Sequence, residues 1–214
     1  METQDNFCGT KSMAKVSLKR GNSCKTLDLE SIHNPDVCAD ILEYDPGQCV
    51  YSHFSPPCTS FSVASIGRHW TGGKGAYIPK SDTAILGLKI LNRVAELIAK
   101  HKYKYWTVEN PRCVFRKLFP DILRKHGITD FRIVTVTYCQ YGYKIMKPTD
   151  FITNIPGWKG KKCSNGSSCH ESAPRGSKTG TQGLKNAKLR GKIPSALFHE
   201  IFDYIELAEK KSDN

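Results

Sequence analysis

Cys58 and Glu109 are the two residues of this 214-residue chain whose types and settings best fit chemistry. Cys58 closes Ser55-Pro56-Pro57-Cys58, directly after a stretch from Cys49 to Ser55 that reads as a strand. Two prolines fix the backbone torsions ahead of the sulfur and so limit where it can point. Further on, Tyr105-Trp106-Thr107-Val108 reads as another strand, ending at Glu109 and followed by Asn110-Pro111. A thiol at one strand end and a carboxylic acid at another make a nucleophile-and-acid pair.

The elements that must position this pair alternate in type. A helix is expected from about 11 to 20, ending at Gly21, then a short strand, Lys25 to Leu29, that closes on Asp28. Val37 to Leu42 is a further apolar run. From Ser81 to His101, apolar residues at 85, 88, 91, 94, 95 and 98 mark an amphipathic helix opened by a serine cap. Arg112 to Gly127 reads as helical up to Pro120, where a new helix is expected to start. Strands are expected over Phe131–Tyr138 and Asp150–Thr153, and a closing helix over Ile193–Lys211, with Pro194 near its start. Such alternation predicts an α/β fold with a parallel sheet, in which ligands bind beyond the carboxyl ends of the strands. Residues 9, 28, 40, 58 and 109 all fall at those ends.

Composition narrows the partners. The hydrophobic fraction of 39% is that of an ordinary globular protein, without an apolar run of membrane-spanning length. The polar start, Met1-Glu2-Thr3-Gln4-Asp5, does not fit a signal peptide, so a cytoplasmic, monomeric protein with no membrane partner is expected. The nine cysteines form no regular framework, and most are expected to be small buried hydrophobes. Net charge is +12, and residues 155–192 alone hold nine Lys/Arg against one acid, Glu171, in a Gly/Ser/Lys-rich segment. That concentration favours contact with nucleic acid.

Pro56-Pro57-Cys58-Thr59-Ser60-Phe61-Ser62 followed by Glu109-Asn110-Pro111 resembles the DNA (cytosine-5) methyltransferase family, in the short form found in phages and large viruses. Ser65-Ile66-Gly67-Arg68-His69-Trp70, Tyr138-Cys139-Gln140-Tyr141-Gly142, Met146-Lys147-Pro148-Thr149-Asp150 and the stretch from Ala173 to Gly183 extend the likeness in order along the chain. The resemblance implies a Rossmann-like, class I S-adenosylmethionine-dependent methyltransferase sheet with a small basic target-recognition insert. The catalytic domain would span 1–154 and the insert 155–192, with a C-terminal helix, 193–214, packing back. Cys58 would be the covalent nucleophile, Glu109 the partner of the cytosine N3, and Lys147 a supporting cation.

For the methyl donor, Phe7-Cys8-Gly9-Thr10-Lys11-Ser12 resembles the family's first motif, a glycine loop feeding a helix N-terminus. Phe7, Gly9, Thr10, Ser12 and Pro56 would line the donor site. Asp28 would bind the ribose hydroxyls, Leu29 would lie against the adenine, and Asp40 and Ile41 would meet its edge. Arg68, Asn110, Lys161, Lys162, Arg175 and Lys178 would contact DNA, with Asn165 and Gln182 as further readers of base edges. The target cytosine would be flipped from the duplex. The family's first motif normally follows an apolar central strand, whereas Glu2-Thr3-Gln4-Asp5-Asn6 has nothing that favours one. A family position that usually holds arginines carries Lys144 and Lys147.

Three alternatives stay open: an RNA cytosine methyltransferase, a degenerate nucleic-acid-binding relative, and a cysteine hydrolase using His53 or His69. Within the insert, Cys163, Cys169 and His170 have a ligand-like spacing, but no fourth Cys or His lies near them in sequence. No metal is assigned on that basis.

Overall fold

The computed structural model describes residues 1–63, 66–73, 75–164, 166–171 and 191–212. Seven strands form one sheet: β1 (Glu2–Asn6), β2 (Ser23–Asp28), β3 (Val37–Cys38), β4 (Tyr51–Phe54), β7 (Tyr105–Pro111), β8 (Arg132–Thr137) and β9 (Pro148–Thr153). Their spatial order is β3-β2-β1-β4-β7-β9-β8. All pairings are parallel except those of β9, which is antiparallel to both neighbours. A small hairpin, β5 (Trp70–Thr71) and β6 (Ile78–Pro79), stands apart and follows a short helix, α2 (Ile66–His69).

Helices cover both faces of the sheet. On one face α3 (Asp82–His101) and α4 (Phe115–Lys125) bury Leu91, Val94, Phe115 and Phe119 against Phe54, Trp106 and Val108. On the other, α1 (Ser12–Lys19) and α5 (Ser195–Ser212) bury Met13, Val16, Leu197, Phe198 and Phe202 against Tyr51, Tyr105 and Phe151. Arg20 ties α1 to α5, with its guanidinium 2.7 Å from Asp203 and 2.9 Å from Glu206. The Ser81 hydroxyl accepts from the Ala84 amide at 3.2 Å, the expected cap of α3. The core-facing stripe of that helix is rotated from the expected one, since Ile85 is exposed while Gly87 and Ile90 are buried.

Two expectations give way. Pro120 starts no new helix; it lies inside α4, which is continuous from Phe115 to Lys125. Losing one backbone bond there is offset by burial of Phe115, Phe119, Ile122 and Leu123. The second correction matters more. Glu2 to Asn6 is a central strand, held between β2 and β4.

Each of its buried polar side chains makes at least one hydrogen bond, while Gln4 Oε1 and Asn6 Oδ1 have no partner among the described residues. Thr3 Oγ1 is 2.7 Å from Ser17 Oγ and donates to the Ser23 carbonyl. Gln4 Nε2 donates to the Pro46 carbonyl at 3.0 Å, and Asn6 Nδ2 to Ser52 Oγ at 3.0 Å. Asp5 accepts from the Ala14 amide at 3.0 Å, satisfying one donor at the start of α1. Side-chain hydrogen bonding thus replaces the β-branched packing that a central strand ordinarily uses.

Burial raises the Asp5 carboxyl from 3.8 to about 7, outweighing the Ala14 amide that favours its charge. Asp28 adds repulsion and Lys11 opposes it. A raised carboxyl binds its proton more tightly in the folded than in the unfolded chain. Its contribution is therefore present at low pH and lost as pH rises from about 4 to about 7. Asp5→Asn keeps an oxygen for the Ala14 amide and cannot ionise. Thermal melts should show the variant gaining on the parent across that window, by on the order of 4 kcal/mol above it.

Candidate active site

The chain runs from β1 outward to β2 and β3, then returns to β4 on the other side of β1. This reversal opens a crevice at the carboxyl ends of β1 and β4, the usual ligand position in such sheets. The glycine loop leaves β1 there, and the Pro-Pro-Cys loop leaves β4 beside it. Glu109 and Asn110 lie within β7, the next strand, paired to Phe151 and Asp150 of β9.

Glu109 is 5% exposed and held from three sides. Ser55 Oγ donates to its Oε2 at 2.9 Å, Tyr138 OH donates to Oε1 at 3.0 Å, and Lys147 Nζ stands 3.9 Å from Oε1. Burial first, and then the charge of Glu109, keeps the Tyr138 phenol well above its ordinary range, so it remains a donor. A charge at Cys58 would act on that phenol in the same direction. Lys147 also lies over the Tyr138 ring at 4.9 Å. Lys147 is therefore seated beside the acid.

The cysteine loop is anchored to the strand that carries the acid. Asn110 Nδ2 donates to the Pro56 carbonyl at 2.9 Å, and the Ser55 amide to the Asn6 carbonyl at 3.1 Å. Asn110 is fully buried, and its side chain holds the loop. Past the exposed Cys58, Phe61 and Trp70 fix the loop from below, their rings 5.9 Å apart, with the indole nitrogen donating to the Ser60 carbonyl at 2.5 Å.

Helix α3 touches this loop at Gly87. A Cβ there would lie 2.9 Å from both Phe61 Cζ and Ser60 Oγ. Alanine favours a helix over glycine by about 1 kcal/mol, but overpacking a filled site costs about 1–3 kcal/mol. Phe61 is fully buried and has no room to swing away. Gly87→Ala should therefore lower the melting temperature slightly and the turnover more strongly, as measured by thermal melts and steady-state kinetics.

Around the glycine loop, Phe7, Gly9 and Lys11 all adopt positive φ, of 62°, 44° and 56°. The Gly9 amide and the Glu30 amide both donate to the Asp28 carboxylate, at 2.9 and 3.0 Å. Thr10 Oγ1 and Ser12 Oγ are 2.9 Å apart at the start of α1. Leu29, 65% exposed, follows Asp28 as an unpacked apolar surface. Asp40 accepts from the Leu42 amide at 2.9 Å. The Ile41 side chain is 4% exposed and part of the core, and its carbonyl accepts from Arg93 Nε at 3.0 Å. An acid braced at the end of β2, next to an exposed leucine and a helix start, is an arrangement that could hold a nucleoside.

The remaining assigned residues are more scattered. Arg68 is exposed on α2, after the cysteine loop, and Lys162 is exposed after β9. Lys161 pairs with Glu200 of α5 at 3.0 Å and lies over the Tyr141 ring. Arg175, Lys178, Asn165 and Gln182 lie outside the described residues. His53 offers the cysteine no base: its Nδ1 is 2.8 Å from Thr107 Oγ1, its ring packs on Phe198, and burial lowers it to about 3. His69 is bonded to Ser81 Oγ at 2.7 Å. Of the nine cysteines only Cys8 and Cys139 are buried, fewer than expected. Sequence reasoning missed Ser55 and Tyr138 as holders of Glu109, and Asp5 beneath the glycine loop. The position of Ser55 beside Pro56 was the one available signal.

Comparison with known proteins agrees with this geometry. The chain resembles the crystal structure of a methyltransferase from an E. coli prophage, described as a DNA modification enzyme (TM-score 0.51, 13% identity, 72% of this chain and 46% of that one). It also resembles the methyltransferase EhMeth of Entamoeba histolytica (TM-score 0.50, 12% identity, 72% of this chain and 52% of that one). The Rossmann-like fold is thus shared with these methyltransferases, although the chain spans only about half the length of these structures. No family model matches the sequence. The probable DNA (cytosine-5)-methyltransferase of frog virus 3 (isolate Goorha) is 33% identical over 229 residues, covering 95% of this chain and 99% of that protein. The chain belongs to the DNA (cytosine-5)-methyltransferase family.

Proposed function

We propose that this protein transfers a methyl group from S-adenosylmethionine to carbon 5 of cytosine in DNA, through a covalent adduct at Cys58. The observation that carries the reading is the joint anchoring of the cysteine loop and the acid: Ser55 bonds Glu109, and Asn110 bonds Pro56. Nucleophile and acid are thereby set in one crevice on neighbouring strands. Carbon 5 of cytosine is a poor nucleophile. Addition of a thiolate at carbon 6, with the N3 side stabilised by a carboxylic acid, pushes electron density onto it.

In this reading Cys58 attacks carbon 6, and Glu109, held by Ser55 and Tyr138, meets N3. Lys147 balances the charge of the acid. The bound donor supplies the electrophilic methyl to carbon 5; loss of the carbon 5 proton to a base then expels the cysteine. Phe7, Gly9, Thr10, Ser12, Asp28, Leu29, Asp40, the Ile41 backbone and Pro56 would hold the donor. Arg68 and the lysines of 155–192 would hold phosphates, positioning the duplex without reading it. Among the described residues no helix is long and apolar enough to cross a membrane. We further assign the basic segment 155–192 to target recognition, in a monomer acting on a flipped base inside the cell.

The test is methyl transfer from labelled donor to cytosine-containing duplex DNA and, in parallel, to tRNA. Label in 5-methylcytosine of the duplex supports the reading. Label confined to tRNA, or to neither with folded protein, contradicts it. Calorimetric titration with S-adenosylhomocysteine separately tests the donor residues, and an absence of heat would argue for a degenerate binding protein.

A further inference from the structure

The fold brings a fourth ligand-type residue to Cys163, Cys169 and His170. Cys139, in the 3₁₀ turn Tyr138–Tyr141 that follows β8, faces them, and the four ligand atoms all lie within 4.8 Å of one another. Cys163 Sγ and Cys169 Sγ stand 3.7 and 3.6 Å from His170 Nδ1. A tetrahedral zinc with bonds of about 2.3 Å to sulfur and about 2.0–2.1 Å to nitrogen requires S···N separations of about 3.6 Å. Cys139 Sγ and Cys163 Sγ are 3.0 Å apart, too far for a disulfide bond of about 2.05 Å.

The backbone around the four groups is fixed independently of any ion. The Cys163 amide donates to Thr137 Oγ1 at 2.8 Å, and the Thr137 amide to the Lys161 carbonyl at 3.0 Å. The Glu171 amide, next to His170, donates to the Lys144 carbonyl at 2.8 Å. Gln140 Nε2 donates to Cys169 Sγ at 3.2 Å, the kind of outer bond that orients a thiolate ligand. Three sulfurs and one imidazole are a soft donor set that suits a closed structural zinc site.

We propose that Cys139, Cys163, Cys169 and His170 bind one structural zinc ion, clamping the start of the basic segment to the turn after β8. Cys139 directly follows Tyr138, which holds Glu109, so the ion would join the segment that meets nucleic acid to the wall of the active site. On binding, the thiols release protons and the sulfurs of Cys139 and Cys163 move apart to about 3.8 Å, the spacing of two zinc-bound thiolates. No electrons are transferred.

Elemental analysis of the full-length protein, purified reduced and without chelator, should find one zinc per chain. Cobalt(II) added to chelator-stripped protein should give the thiolate charge-transfer and ligand-field absorption of a tetrahedral, sulfur-rich site. Zinc should also protect Cys139, Cys163 and Cys169 from alkylation in the unmodified sequence, a readout that needs no variant to fold. Cys163→Ser and His170→Ala should lose the stoichiometric metal, while Cys24→Ser, outside the cluster, should keep it. The proposal is overturned by reduced protein that takes up neither metal, by iron or copper in place of zinc, or by metal retained in both cluster variants. It would also fall if zinc left the three thiols unprotected. None of these readouts depends on methyl transfer.

Discussion

Cys58→Ser should abolish methyl transfer, lowering turnover by roughly 10³–10⁶-fold, the scale on which enzymes lose activity with their nucleophile. A serine hydroxyl is far less ionised than a thiol at neutral pH and adds poorly to an aromatic carbon. The loss should be chemical and not structural. Cys58 is exposed, and the anchors of its loop are Ser55, Pro56, Phe61 and Trp70. Stability should therefore stay within about 0.5 kcal/mol of the parent. Donor binding should persist, because the glycine loop follows β1 and Asp28 ends β2. A variant that kept its turnover would remove the cysteine from the mechanism.

Glu109→Gln should lower turnover by about 10²–10⁴-fold, the usual contribution of a positioned acid. Unlike the serine variant, it should also be less stable. The amide nitrogen is a donor and accepts from neither hydroxyl, so either Ser55 or Tyr138 loses its acceptor, and Lys147, 8% exposed, loses the carboxylate beside it. A buried donor left without its partner costs about 1–3 kcal/mol. Because thiol and acid act on one ring in one step, the Cys58→Ser/Glu109→Gln double variant should be little worse than Cys58→Ser alone. Strictly multiplying losses would mean that the two residues act in separate steps. Turnover, denaturant melts and the double-variant cycle distinguish these outcomes.

What the sequence made legible was whatever a local pattern encodes. Pro56-Pro57-Cys58 and Glu109-Asn110 are short runs with unusual residue types, and the apolar repeat of α3 announces a helix without tertiary information. β1 was illegible because its stability is not local. The Thr3, Gln4, Asp5 and Asn6 side chains look like a loop until Ser17, Pro46, Ala14 and Ser52 arrive to bond them. The same reason hid the role of Asn110, which depends on a carbonyl at Pro56. The grouping of Cys139 with Cys163, Cys169 and His170 depends on how the turn after β8 meets the segment after β9. Pro120 misled in the opposite direction, since its local signal is strong and the packing of α4 overrides it.

The proposed donor pocket gains most from the structure. The polar run before Phe7 suggested a poorly formed first motif; instead β1 sits in the middle of the sheet, and Asp28 is braced by the Gly9 and Glu30 amides. Asp5 closes the arrangement from below by bonding the start of α1.

The most direct measurement is the mass of the protein after incubation with S-adenosylmethionine and a duplex carrying 5-fluorocytosine. Fluorine at carbon 5 cannot leave as a proton does, so an adduct that has formed at carbon 6 persists. The account predicts a covalent protein–DNA species whose peptide map places the bond on Cys58. A bond on any other cysteine, or no adduct from protein that methylates ordinary cytosine, would contradict it.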